Sequence, residues 1–183
     1  MKRYLKGAVF CAAMIALLLT AGCSGWKPFE DPVKEGESLV FGYIDMSDAP
    51  ISLQWVSMKR LRPVTEAPYY RFVVADGLFY RTATLPGTYK FESFGGEGWN
   101  TRYTFSFPVQ GRGAMDPIID KTGIYYVGAY KYKKVKTGFF EQGKFEVEKV
   151  DKPGEKELLL RLLKTAEHPS WKAAIKKRIE ALN

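Results

Sequence analysis

The chain contains few of the residue types that bind transition metals or form covalent cross-links. Its 183 residues include two cysteines and one histidine. Both cysteines, Cys11 and Cys23, lie near the N-terminus, and the histidine, His168, lies near the C-terminus. A zinc site with several Cys and His ligands is therefore excluded, and so is a disulfide within residues 24–183. We expect neither a metal nor a cofactor, and we expect His168 to cap a helix or to lie on the surface.

The chain also lacks an apolar run long enough to span a bilayer. Its N-terminal run, residues 7–20, has 14 residues. As a helix it would extend about 21 Å, whereas the hydrocarbon core is roughly 30 Å thick. Three basic residues precede the run and two small residues follow it. This order predicts a cleaved export signal over residues 1–22, with cleavage between Gly22 and Cys23.

The residue after the predicted cleavage site is the informative cysteine. With the residues before it, the segment LTAGC at 19–23 resembles the lipobox of bacterial lipoproteins, although Thr20 replaces the usual leucine. The resemblance implies that Cys23 becomes the first mature residue and carries several acyl chains, each contributing about 0.8 kcal/mol per buried CH₂. The alternative is an ordinary secretory signal followed by a chance cysteine. In a Gram-negative cell, Ser24 favours the outer membrane, with the protein facing the periplasm.

Neither sign of charge is in large excess once the signal is set aside. The whole chain has 28 basic and 20 acidic residues and a net charge of +8. Loss of the three basic residues of the signal leaves 25 against 20, which is +5 over the remaining 161 residues. This mild excess does not indicate a nucleic-acid partner, and we expect none. The mature length fits one domain.

Strand-like alternation extends through residues 38–150. In TYKFESF (88–94), RYTFSF (102–107) and KFEVEKV (144–150), apolar side chains alternate with polar ones in the two-residue period of β-strands. Turn-forming pairs such as Asp76-Gly77 and Pro86-Gly87 separate such runs. Seven or eight short strands at this spacing predict a mainly β fold, an antiparallel sandwich.

The segments on either side of the sandwich have different patterns. Residues 23–37 are polar, contain two prolines and show no period, which predicts a tether of at most about 45 Å. Alternatively, Trp26 and Phe29 within it lie among lipid headgroups. In residues 151–183 the period changes to that of two α-helices, predicted to pack on the sandwich as a hairpin. The second helix is basic, and the alternative for it is an anionic membrane surface.

Residues 76–94, DGLFYRTATLPGTYKFESF, resemble prealbumin-like and carboxypeptidase-regulatory-like sandwiches. The shared pattern is an Asp-Gly turn, a strand, a Pro-Gly turn and a strand with a tyrosine. KTGIYYVGAY, residues 121–130, is similar to a late strand of small envelope lipoproteins with the same fold. The resemblance implies a prealbumin-like sandwich without catalytic residues, because such domains mostly serve as binding or spacer modules.

Acidic residues offer no strong pattern for catalysis or metal binding. Asp45, Asp48 and Asp76 supply oxygen atoms that calcium accepts, but they lack EF-hand spacing and turn chemistry explains them. Glu92 and Glu97 are candidates for a pair of glycosidase carboxylates, as would be other acids in the chain. We therefore predict no catalytic residue.

Exposed aromatic and basic residues are the better candidates for contact with a ligand or partner. Trp99 and Arg112 lie in glycine-containing loops, and the strand YKYKKVK at 130–136 combines aromatic rings with positive charge, a combination that binds glycans or anionic polymers. Its alternative role is an edge strand that lysines protect against aggregation. The candidate contact residues are Trp99, Arg112, Tyr130, Tyr132, Lys134 and Lys136.

Together these features predict a lipid-anchored protein of the cell envelope that acts as a non-enzymatic binding or adaptor module at the membrane surface. The lipid contacts the membrane, and the further partner is an envelope protein or a cell-wall polymer. Confinement at the membrane raises the effective concentration of a weak binding face. Two alternatives stay open: a hydrolase acting on envelope glycan or peptide, and a structural spacer or assembly component.

Overall fold

The computed structural model describes residues 29–66, 68–107, 113, 115–135 and 144–183. The predicted signal and the lipobox, including Gly22 and Cys23, lie outside the described residues. So do two of the candidate contact residues, Arg112 and Lys136.

The described residues form ten strands and two helices. The strands are β1 (Ser38–Asp45), β2 (Trp55–Arg62), β3 (Tyr69–Arg71), β4 (Val73–Ala75), β5 (Leu78–Thr84), β6 (Gly87–Glu97), β7 (Arg102–Ser106), β8 (Ile118–Ile119), β9 (Ile124–Val135) and β10 (Lys144–Val150). The helices are α1 (Glu155–Thr165) and α2 (Pro169–Glu180). One sheet, here the inner sheet, has the order β10-β9-β1-β5-β4. The other, the outer sheet, has the order β3-β2-β6-β7, with β8 also paired to β6.

The predicted mainly β fold with two C-terminal helices is confirmed, but two details of the prediction are wrong. The strands number about ten, because β3, β4 and β8 have only two or three residues and are too short to show a period. The sheets are also not wholly antiparallel, since β1 and β9 run parallel with Leu39 opposite Ile124. Side-chain alternation is the same in both strand directions, so the sequence pattern carries no information on this pairing.

Two glycines at the predicted turns are required for different reasons. Asp76 and Gly77 join β4 to β5 with φ of 48° and 76°, the left-handed conformation of a tight hairpin turn. Gly87 begins β6 and does not have a positive φ; a Cβ atom there would collide with the backbone carbonyl of Arg62. The Asp-Gly pair therefore sets a turn, whereas Gly87 permits close packing of two strands.

Aromatic rings fill the space between the two sheets. Phe79 of the inner sheet contacts Phe91 of the outer sheet at a centroid distance of 5.7 Å. Towards the opposite edge, Phe105 of β7 lies 5.3 Å from Phe145 of β10. Rings in edge-to-face contact add to the free energy gained from burial of their apolar surface, so this core holds the sheets together.

The two helices cover the other face of the inner sheet. Both helices bury an apolar stripe there, as their period predicts. The buried residues of this second core include Leu158, Leu159, Leu162, Trp171 and Ile175. Neither helix in the described part of the chain has the length and apolarity needed to cross a bilayer. The inner sheet is therefore buried on both faces, between the helices and the outer sheet.

The N-terminal end of the described chain is docked on these helices. Phe29 is 1% exposed, stacks on Tyr80 at 5.2 Å and meets the edge of Trp171 at 5.6 Å. Its carbonyl oxygen accepts a hydrogen bond of 2.9 Å from the backbone N–H of His168. The alternative that Phe29 lies among lipid headgroups is therefore wrong. Trp26 lies outside the described residues.

Residues after Phe29 are held as well. The backbone N–H of Val33 donates to Ser170 Oγ at 3.0 Å, and that of Gly36 donates to Thr122 Oγ1 at 3.1 Å. Residues 29–37 thus belong to the folded body, so the predicted tether of 23–37 is wrong for these residues, while 23–28 lie outside the described residues. Polar residues and prolines dominate this segment, so its two apolar residues, Phe29 and Val33, give no periodic signal.

Candidate functional site

One end of the sandwich collects several of its connections. Tyr43 of β1 lies opposite Leu78 of β5, so the β1–β2 loop (46–54) and the β4–β5 turn emerge together. The pairing of β2 with β6 brings the tip of the β6–β7 hairpin, residues 98–101, to the same end. We call the loop 46–54, the turn at 76–77 and the tip 98–101 the loop end. Binding residues are often found on such loops held by a rigid scaffold.

The side chain of Trp99 is fully exposed at the loop end. The base of its hairpin is well fixed: Gly98 N–H donates to Thr101 O at 2.8 Å. Gln54 also exchanges two hydrogen bonds with the backbone of Glu97, at 2.9 and 3.0 Å. A large aromatic side chain on a supported tip is typical of residues that dominate binding interfaces. Trp99, one of the predicted contact residues, is therefore accessible to a ligand or partner.

An open groove of about 560 Å³ lies beside the hairpin tip. Its walls are Tyr43, residues 44–47 and 49–53 of the β1 end and following loop, and the turn at 76–77. Ile51 lines the groove and also approaches the hairpin, because a Cβ atom at Gly98 would lie 3.7 Å from Ile51 Cδ1. The groove and the tryptophan are thus adjacent, and together they form the candidate binding site.

Asp45, which lines the groove, and Asp48, in the same loop, are engaged in local structure. Asp45 Oδ1 accepts the backbone N–H of Ser47 at 2.8 Å, which shapes the loop. Asp48 Oδ2 lies 3.0 Å from Lys131 Nζ, and this partner raises the pKa of Lys131. Within the ranges that the structure describes, no group of three or more His, Cys, Asp and Glu side chains is placed to hold a metal ion.

Tyr43 forms the wall of the groove nearest the helices, and Arg161 of α1 packs against it. The guanidinium carbon of Arg161 lies 5.9 Å from the centre of the Tyr43 ring, and Nη2 donates to the carbonyls of Ala75 and Asp76 at 3.1 and 3.0 Å. Burial, with the charge of Asp45 next in importance, raises the pKa of the Tyr43 hydroxyl. The hydroxyl therefore stays neutral at physiological pH and offers a ligand a hydrogen-bonding group without charge.

Two of the predicted contact residues are wrong, because Tyr130 and Tyr132 belong to the core between the sheets. Their exposures are 2% and 4%, and the ring of Tyr132 lies 4.9 Å from that of Phe105. The hydroxyl of Tyr130 donates to Val127 O at 3.0 Å. The aromatic residues of the alternation face the core, and Lys134, which follows Tyr132 on the same strand face, is exposed.

The alternative role for that strand is also wrong, because β9 is not an edge strand. It lies between β10 and β1 in the inner sheet. Its lysines lie beside acidic residues of neighbouring segments: Lys131 pairs with Asp48, and Lys133 contacts Glu148 of β10. Cross-strand pairing of opposite charges explains the alternation of lysines without a ligand.

A second groove, of about 370 Å³, opens where β10 ends. Val150 lies opposite Ala129, so no strand among the described residues pairs with this edge of β9 over residues 124–128. Asp116 borders the groove; its two carboxylate oxygens accept the backbone N–H groups of Phe91 and Gly113, at 2.8 and 2.6 Å. Sequence reasoning missed this groove, because its origin is the unequal length of paired strands.

The other candidates for chemistry have structural roles. His168 caps α2 as predicted: Nδ1 accepts the backbone N–H of Ser170 at 3.2 Å and lies 2.8 Å from Ser170 Oγ. Glu92 and Glu97 are five residues apart on β6, which separates them by roughly 16 Å, too far for a carboxylate pair. Glu97 instead lies 3.7 Å from the Nε of Arg102.

Comparison of the chain with models of protein families, with curated proteins and with solved structures found no significant match. The geometry of the loop end is therefore the basis for a functional proposal. It offers an exposed indole ring, an adjacent groove with acidic and apolar walls, and a neutral tyrosine hydroxyl. These groups suit non-covalent recognition.

Proposed function

We propose that the chain is a lipid-anchored protein of the cell envelope that binds a partner non-enzymatically through its loop end. The observation that carries the proposal is the fully exposed Trp99 on a hydrogen-bonded hairpin tip beside the groove. Removal of a large aromatic ring from water is a major source of affinity, and tryptophan is enriched among the residues that dominate interfaces. A rigid base limits the entropy lost on binding.

The anchor is the second part of the proposal. We infer from the LTAGC segment that Cys23 is acylated and that the mature protein stays at the membrane, at the outer membrane facing the periplasm in a Gram-negative cell. Attachment keeps the loop end close to other envelope components, so a modest affinity yields high occupancy. The protein then acts as an adaptor at the membrane surface.

An envelope protein is the partner that the loop end fits best. The groove has apolar walls at Ile51 and Leu53 and acidic groups at Asp45 and Asp76. This mixture suits a protein surface with an apolar pocket for the indole ring and a basic rim. A cell-wall polymer is the other class of partner. Cross-linking followed by mass spectrometry distinguishes a polymer from a protein partner.

The proposal also includes the type of β-sandwich that the two sheets form. We propose that the sandwich is prealbumin-like, as the pattern in residues 76–94 suggests. Support comes from the position of the motif: Asp76 and Gly77 form the turn before β5, while Phe79 and Tyr89 pack between the sheets. The pattern thus describes one turn and two core positions.

The test is cross-linking in the native cell, followed by mass spectrometry of the captured material. We expect the wild-type chain to capture one envelope protein, and Trp99→Ala to weaken that complex about thirtyfold, as for a hot-spot residue worth ~2 kcal/mol. Tyr69→Ala is the matched control, because Tyr69 is an exposed aromatic residue on β3, outside the loop end. The control should capture the partner as the wild type does.

Several outcomes would contradict this proposal. Equal capture by both variants would remove Trp99 from the interface, and capture of glycan alone would replace a protein partner with a polymer. Capture of nothing is the result expected of a spacer, and cleavage of envelope glycan or peptide is the result expected of a hydrolase. The anchor is tested separately by the mass of the N-terminal peptide, which should start at an acylated Cys23.

A further inference from the structure

Only a short segment separates the proposed lipid from the folded body. Five residues, 24–28, lie between Cys23 and the buried Phe29. Fully extended, this link spans about 20 Å. The orientation of the body at the membrane rests on the proposed acylation of Cys23. With that anchor, Phe29 stays within about 20 Å of the bilayer surface, a distance smaller than the body of a 160-residue domain.

The helices are the part of the body nearest to this attachment point. The carbonyl of Phe29 accepts the backbone N–H of His168, in the turn between α1 and α2. The rings around Phe29 come from α2 and from the helix-covered face of the inner sheet. The outer sheet lies on the opposite side of the inner sheet, roughly 10 Å further away. A short link therefore brings the helices, and not the outer sheet, to the membrane.

The surface of the helices is basic. Residues 155–183 include seven basic and four acidic side chains. On α2, Lys172, Lys176 and Lys177 are all exposed, and Glu180 is the acidic residue on the same side of the helix. Arg178 is set apart from this group, because its Nε lies 2.7 Å from Glu155 Oε1. We call the three exposed lysines the lysine face.

The lysine face can contact a membrane only at the headgroups, without insertion of α2 into the acyl chains. The apolar side of α2 is already buried in the protein, with Trp171 at 3% and Ile175 at 0% exposure. The helix therefore has no apolar face left to insert into acyl chains, as a membrane-inserting amphipathic helix requires. Lysine ammonium groups near anionic headgroups, in contrast, are attracted without insertion.

We infer that the lysine face of α2 lies against anionic phospholipid headgroups of the leaflet that holds the lipid anchor. Two independent features lead to this surface. The link of residues 24–28 ends beside α2, and α2 presents three exposed lysine side chains on its outer side. The contact would orient the whole body, with the helices towards the bilayer and the outer sheet towards the envelope space.

The test uses the full-length gene product, purified as the processed, acylated protein and reconstituted into vesicles. One set of vesicles is phosphatidylcholine alone, and the other also contains phosphatidylglycerol. The rate of chemical acetylation is measured for each lysine by mass spectrometry. Because each lysine near an anionic surface gains attraction equivalent to about fivefold in occupancy, acetylation of the lysine face should be about fivefold slower on the anionic vesicles.

Matched lysines and variants make the result specific. Lys59 of β2 and Lys134 of β9 lie outside the helices, and their acetylation should not depend on lipid charge. Contact with anionic headgroups should also slow hydrogen exchange of the α2 backbone amides in the wild type. The variant Lys172→Glu/Lys176→Glu/Lys177→Glu should lose this slowing on anionic vesicles. The variant Lys59→Glu/Lys121→Glu/Lys134→Glu, with the same change in charge, should retain it.

Three results would overturn the inference, and they are distinguishable. If the N-terminal peptide carries no acyl chain, the anchor and the orientation fail together. If Cys23 is acylated but the lysine face is acetylated equally on both vesicles, only the orientation fails. A general decrease that includes Lys59 and Lys134 would indicate a non-specific charge effect and would also contradict the proposed orientation.

Discussion

At the scale of single residues, the unusual feature is a pair of arginines at the end of the sandwich away from the loop end. Arg60 is 8% exposed, and its guanidinium carbon lies 6.0 Å from the centre of the Tyr89 ring. That of Arg81 lies 5.0 Å from the Tyr70 ring, and burial lowers the pKa of Arg81. Aromatic faces and backbone carbonyls, such as that of Pro86 for Arg60, stabilise these charges.

Arg60 therefore contributes mainly through packing of its aliphatic stem. We expect Arg60→Met to change the free energy of unfolding by no more than about 1 kcal/mol, because loss of the buried charge offsets the loss of its hydrogen bond. Arg60→Ala removes the stem as well and should cost about 2 to 3 kcal/mol. Urea denaturation measures both. Equal losses in the two variants would show that the charge, and not the stem, stabilises the fold.

At the scale of elements, the sequence predicted the helices and the alternating strands, and it failed where a segment lacks a period. The leucine stripe of α1 and the alternation of β7 were sufficient, because each element buries one face. β1 has a less regular pattern, since the inner sheet is covered on both sides and its residues Leu39, Val40 and Phe41 are all buried.

The burial of single apolar residues and the order of the strands cannot be inferred from periodicity in the sequence. Phe29 is a lone aromatic residue in a polar segment, and nothing local indicates the ring cluster that receives it. The burial of Tyr130 and Tyr132 depends on the place of β9 within the sheet, which is set by pairing with distant strands. For the candidate site, Trp99 was predictable from its glycine-rich loop, but the adjacent groove was not.

The docking of the N-terminal segment on the helices can be tested through the buried ring of Phe29. We expect Phe29→Ala to lower the free energy of unfolding by about 3 to 5 kcal/mol, because the ring fills a buried site between Tyr80 and Trp171. Backbone amides of residues 29–37 should then exchange hydrogen faster. Val64→Ala is the control, since that side chain is exposed and its removal should cost less than about 0.5 kcal/mol. Unchanged exchange in residues 29–37 would refute the docking role of Phe29.

At the scale of the whole molecule, helices, inner sheet and outer sheet form three layers with two apolar cores. Tyrosines contribute to both cores: Tyr80 lies under the helices, and Tyr89 and Tyr130 lie between the sheets. Burial raises the pKa of all three hydroxyls above the ordinary value of 10.0. The neutral form is therefore favoured in the folded state.

These tyrosines make stability sensitive to alkaline pH. Below pH 10, folded and unfolded chains both carry neutral tyrosines, and this contribution is fully present. Above pH 10 the unfolded chain loses the protons first, so stability should fall by up to about 1.4 kcal/mol per pH unit for each tyrosine. Urea denaturation from pH 8 to 11 measures the slope, and Tyr130→Phe should reduce it. A flat profile would contradict the burial effect.

The parallel pairing of β1 with β9 has a consequence for how the chain reaches its native state. Ser38 and Gly123, which share a hydrogen bond at the start of this pairing, are 85 residues apart in sequence. Contacts of such long range slow folding, since most of the chain must be present before they form. A nascent polypeptide that ends before residue 124 leaves β1 with a single neighbour, β5. Completion of the inner sheet thus waits until β9 has been synthesised, and until then one edge of β1 stays unpaired.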